Sequence, residues 1–85
     1  MDAKEFRAVI SKSAFAKPDA YESLINTNEF SKWRSLNATL LDQEMLSMHT
    51  KGRANLSGPE LDALIADVRA ARLAVMATPE FKALI

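Results

Sequence analysis

The feature that most constrains this chain is Leu56-Ser57-Gly58-Pro59-Glu60-Leu61 together with the unbroken run behind it, DALIADVRAARLAVMA. Ser57 and Glu60 have the spacing of a capping box, and Leu56 and Leu61 that of a hydrophobic staple around it. Pro59 falls in the first turn, where a missing N–H costs nothing. The run behind this start holds neither glycine nor proline, so a helix over about 58–77 is predicted. With Leu61 at zero and about 100° per residue, Leu64, Ile65, Val68, Arg72, Val75 and Met76 gather within about 60° of it. That is a core stripe, with Arg72 leaning out at its margin.

The opposite side of the same helix holds Ala63, Ala66, Ala70, Ala74 and Ala77, at intervals of 3, 4, 4 and 3. This is the rhythm of a coiled-coil seam filled with the smallest side chain. Asp62 and Arg69 border the row on one edge, Glu60 and Asp67 on the other. Alanine is also the best helix former, so one reading leaves the row facing water. A second packs it against another helix of the chain. A third gives it to a partner helix or a second copy, with the charged flanks setting register. Five alanines supply about 3–5 kcal/mol at about 25 cal/mol per Å², before ordering costs. A tight interface therefore needs larger anchors, and Trp33, Met45, Leu46 and Met48 are the candidates.

Length sharpens the question. The 85 residues are expected to form one helical domain, residues 1–85. A domain of this size buries only about 60–65% of the surface its unfolded chain exposes, so it is short of stabilising area. There is no cysteine, which removes disulfides, thiolate metal sites and thiol nucleophiles together. The one histidine lacks the HxxxH or HxxE spacing of a metal site. Association with something else is the remaining common support.

The other helices are read from their punctuation. Asp2 caps a first helix of about three turns, with Glu5 three residues on, Met1 and Phe6 as a staple, and Val9 and Ile10 at helical spacing. Pro18 and Asp19 open a short second helix whose inner side is Tyr21, Leu24 and Ile25. A third, central helix runs from about Asn28 to His49; Phe30, Trp33, Leu36, Asn37, Leu40, Leu41, Met45 and Met48 occupy half its circumference, wider than a surface helix needs. Thr78-Pro79-Glu80 caps a final short turn with Phe81, Leu84 and Ile85. Asn26-Thr27-Asn28-Glu29-Phe30 and Ala77-Thr78-Pro79-Glu80-Phe81 share a Thr-x-Glu-Phe start, a helix cap used twice rather than a repeat. No stretch alternates long enough for a strand. The expected fold is all-α, a compact four- to five-helix bundle, with Phe6, Val9, Ile10, Leu24, Trp33, Leu40, Leu41, Leu61, Leu64, Ile65 and Val68 in the core.

Eleven basic and eleven acidic residues cancel, so no overall field favours nucleic acid or membrane. The N-terminal stretch has no long uncharged apolar run, and nowhere do about 18 apolar residues follow one another. A cytoplasmic location is the expectation, with no membrane partner. His49 suits the negative end of a helix rather than catalysis. Asp42 and Glu44 point about 200° apart on a helix and do not converge. Two isolated glycines satisfy neither a phosphate loop nor a dinucleotide fingerprint. No enzyme activity, no cofactor, no metal and no small-molecule substrate are expected.

The sequence reading is a non-enzymatic protein–protein interaction module, a small adaptor, inhibitor or regulatory subunit, bound to a protein partner or to itself. Its partner-binding residues are Ala63, Ala66, Ala70, Ala74, Ala77, Leu46 and Arg69. The alternative is a small helical nucleic-acid-binding protein using the 49–55 loop and its flanks, through Lys32, Arg34, Lys51 and Arg53. Against it stands the start of the fourth helix, Gly-Pro-Glu-Leu-Asp, which would present acids to phosphates.

Overall fold

The computed structural model of the chain describes residues 1–49 and 58–85, with side chains for 1–45 and 58–85. These residues form five helices and, among those described, no strand: α1 (Ala3–Ala16), α2 (Pro18–Ile25), α3 (Asn28–His49), α4 (Gly58–Met76) and α5 (Pro79–Lys82). The fold is an all-α bundle. Its spine is an antiparallel hairpin of α3 on α4, and α2 joins α1, α5 and α3. Because α3 is 22 residues long, about 33 Å at 1.5 Å per residue, the hairpin draws the molecule out to 41 × 21 × 21 Å.

Helix starts follow the expected chemistry. Asp2 accepts a hydrogen bond from the Glu5 amide at 2.8 Å and caps α1, which runs 14 residues, nearly four turns rather than three. Met1 remains about half exposed while Phe6 is fully buried, so the staple is one-sided. The two Thr-x-Glu-Phe starts are built alike. Thr27 Oγ1 donates to the Leu24 carbonyl and accepts from the Phe30 amide; Thr78 Oγ1 donates to the Val75 carbonyl and accepts from the Phe81 amide. Each threonine thus closes one helix and opens the next, and each delivers a buried phenylalanine one turn later. Ser57 and Leu56, half of the capping box and half of its staple, lie outside the described residues.

The core centres on aromatic contacts. Phe6 meets Trp33 edge to face at 5.0 Å and stacks on Phe81 at 5.4 Å, and Phe30 lies tilted against Trp33 at 5.6 Å. Ile10, Leu24, Leu64, Val68, Ala71, Val75 and Leu84 surround them. Two residues expected inside are outside: Leu41 is 45% and Ile65 40% exposed. The reason is reach. Asp2 and Ala3, where α1 begins, line the same groove as Leu40 and Glu44. Ile65 borders that groove too, and among the described residues no third helix covers the hairpin beyond it; two helices cannot cover the whole apolar arc of each other. Trp33, offered as a partner anchor, is buried at the centre of the aromatic cluster and is unavailable for one.

The buried stripe of α4 is also turned from its expected position. Leu64, Val68, Ala71 and Val75 form it, with Leu61, Arg72 and Met76 only part-buried at its edge. The helix is apolar on so many sides that several arcs would serve. Packing against α3 and α5 selects the one containing Ala71.

Candidate functional site

All five alanines of the predicted row, Ala63, Ala66, Ala70, Ala74 and Ala77, are exposed on the outer side of α4. Packing against another helix of the same chain is thereby overturned for this row: α3 and α5 occupy the other side. Leu73 stands among them, 54% exposed. The sequence reading passed over it by following alanines alone. Its signal was in the register: Ala63, Ala66, Ala70, Leu73 and Ala77 are spaced 3, 4, 3 and 4, an unbroken heptad seam with one large residue. Arg69 and Asp62 are exposed on one border of this face and Asp67 on the other. The side chain of Leu46 lies outside the described residues. Met45, another expected anchor, is 55% exposed on α3.

Two grooves flank α4. One, about 530 Å³, runs between α3 and the alanine side, lined by Asn28, Glu29, Lys32, Leu36, Asp67, Ala70, Ala71 and Ala74. The other, about 400 Å³, lies where α1, α3 and α4 meet; Trp33, Leu40, Ile65 and Val68 supply its apolar wall. Arg7, Arg69, Arg72, Asp2 and Glu44 supply its charge. Arg72, expected to lean into solvent, instead holds its Nε enclosed and without a hydrogen-bond partner.

Of the four basic residues of the nucleic-acid reading, Lys32 and Arg34 lie among the described residues. Lys32 shares its groove with the acids Glu29 and Asp67. Arg34 sits over the Phe30 ring at 5.0 Å from its centroid, a cation–π contact on the surface of α3. Lys51 and Arg53 lie outside the described residues. His49 ends α3, and its side chain is not described. Asp42 and Glu44 are both exposed, on either side of the buried Gln43, and Glu44 lines the second groove.

The Asp2 carboxyl is held below its usual 3.8, chiefly by the hydrogen bond from the Glu5 amide that it caps. No described helix is long and apolar enough to cross a membrane. No group of three or more His, Cys, Asp or Glu among the described residues could hold a metal ion. Compared with known proteins, the chain matches no family model, no curated protein and no solved structure.

Proposed function

We propose that this chain is a non-enzymatic protein-interaction module whose docking face is the outer side of α4, covered by an amphipathic helix of a partner protein. The observation that carries this reading is the exposed heptad seam Ala63, Ala66, Ala70, Leu73 and Ala77. Small residues at these positions let a second helix backbone approach closely, and Leu73 supplies a knob. Covering the exposed half of Leu73 adds about 1 kcal/mol to the contribution of the alanines. The total stays modest beside association costs of about 4–15 kcal/mol, so the partner must bring the larger side chains.

The charged borders oppose antiparallel pairing with a second copy. Such a pairing brings the two Asp67 edges together and the two Arg69 edges together, and like charges across an interface oppose pairing. A partner helix carrying a cation against Asp67 and an acid against Arg69 meets no such penalty. The test compares the wild-type chain with Ala70→Glu and Leu73→Glu in pull-downs read by mass spectrometry, with light scattering across a concentration series for self-association. A protein retained by the wild type and by Lys12→Glu, but lost from both seam variants, is the expected result. Retention by all of them would remove the face from consideration. Concentration-dependent dimers abolished by Ala70→Glu would replace the partner with a second copy.

A further inference from the structure

The groove between α1, α3 and α4 has a composition that the outer face of α4 does not explain. Three guanidinium groups line it, from Arg7, Arg69 and Arg72, against two carboxylates, Asp2 and Glu44. Asp2 is already committed: its carboxylate accepts from the Glu5 amide at 2.8 Å, and that bond is the first cause of its lowered pKa. No ion pair joins Arg7 or Arg69 to a described residue. The Nε of Arg72 is enclosed without any hydrogen-bond partner, an unusual state for a charged donor with a fixed fork of N–H groups. The positive end of α1 opens at the same place, since Asp2 and Ala3 line the groove.

Apolar residues line the same groove beside the arginines. Trp33, Leu40, Ile65 and Val68 are among them, and Ile65 is 40% exposed there although aliphatic. A volume of about 400 Å³ falls in the range of small-ligand sites, which pair a largely apolar lining with a few convergent polar groups. We infer that this groove binds an oxyanion, carboxylate or phosphate, carried on a small apolar body. The oxyanion takes the outer N–H groups of the Arg72 guanidinium, past its enclosed Nε, with Arg7 and Arg69 beside it, and the body lies against Ile65 and Leu40. Planar, bidentate pairing suits arginine with either oxyanion and lysine with neither. Glu44 on the rim repels the incoming anion. This inference does not rest on the α4 seam, although Arg69 borders both the seam and the groove.

The experiment is a titration of the labelled full chain with phenyl phosphate, with phenylacetate as the carboxylate arm and inorganic phosphate as the probe without an apolar body. The readout is the arginine Nε–Hε resonances in nitrogen–proton correlation spectra. Saturable shifts are expected for Arg72, Arg7 and Arg69 but not for Arg34, with inorganic phosphate several-fold weaker than phenyl phosphate. Arg72→Lys, which keeps the charge and loses the fork, should weaken binding at least tenfold, and Glu44→Gln should tighten it a few-fold. Whichever aromatic anion binds more tightly identifies the oxyanion. Should Arg72→Lys fail to fold, the exposed Arg7→Gln carries the same expectation of weakening. Shifts spread equally onto Arg34, affinity unchanged in the folded arginine variant, or no saturation with either aromatic anion would each overturn the inference.

Discussion

Phe6 and Phe81 stack with ring centroids 5.4 Å apart and 26° between their planes, and both are fully buried. The contact ties the first helix to the last. Phe81 sits on α5, a helix of four residues that is far too short to persist on its own. Its place is held by Thr78 from below and by Phe6 from the side, so the C-terminal turn depends on tertiary contacts.

Phe81→Ala should therefore destabilise the chain by about 3–5 kcal/mol, the usual cost of emptying a buried phenylalanine site. That is a large share of the stability of any small domain. Urea denaturation followed by circular dichroism checks it, and a loss below about 1 kcal/mol would show that α5 is not part of the cooperative unit.

Thr78 and Thr27 make the same pair of hydrogen bonds, but Thr78 is 8% exposed and Thr27 only part-buried. Removing the hydroxyl from the buried copy leaves the Phe81 amide unpaired with less access to water, while the Val75 carbonyl keeps the Thr78 amide. Thr78→Val should cost about 1–3 kcal/mol and Thr27→Val less, while Thr78→Ser keeps most of the wild-type stability. Equal losses at the two sites would contradict the burial difference.

Leu64 and Leu73 lie on opposite sides of α4, one 9% and the other 54% exposed. Leu64→Ala should cost about 2–5 kcal/mol. Leu73→Ala should stay within about 0.5 kcal/mol of wild type, as an exposed substitution to the best helix former. Reversed magnitudes in thermal or urea unfolding would mean that α4 is rotated from the orientation described above.

The lowered pKa of Asp2 gives a pH dependence of known sign. A carboxylate depressed in the folded state stabilises above its unfolded pKa, and that contribution is lost as pH falls through the folded value. The stabilising difference between wild type and Asp2→Ala should thus be present at neutral pH. It should shrink as pH drops past the ordinary 3.8 and below, and vanish in strong acid. Melting curves of both proteins from neutral pH to strong acid follow this, and a difference that grows on acidification would have the wrong sign.

Helix boundaries were legible in the sequence because they are local chemistry. Asp2, Thr27 and Thr78 each satisfy an amide three residues ahead, and Pro18 and Pro79 each stand where an N–H is not needed, so start signals a few residues long locate α1, α2, α3 and α5. The all-α class followed from the same signals and from apolar residues at helical spacing. The burial side of a helix is not local. For α4, alanine and large aliphatics surround the axis, and periodicity alone admitted a stripe containing Ile65 as readily as one containing Ala71.

Packing chose between them. The aromatic cluster of Phe6, Trp33 and Phe81 gathers α1 and α5 at one end of the α3–α4 hairpin, which buries Ala71 and Val75 and leaves Leu41, Ile65 and Leu73 in solvent. It also brings Arg7, distant in the chain, to one groove with Arg69 and Arg72 of α4. Hydrogen bonds between near neighbours fix where a helix starts and stops. Which of its faces is covered depends on surfaces contributed from elsewhere in the chain, and in this molecule only the folded arrangement supplies them.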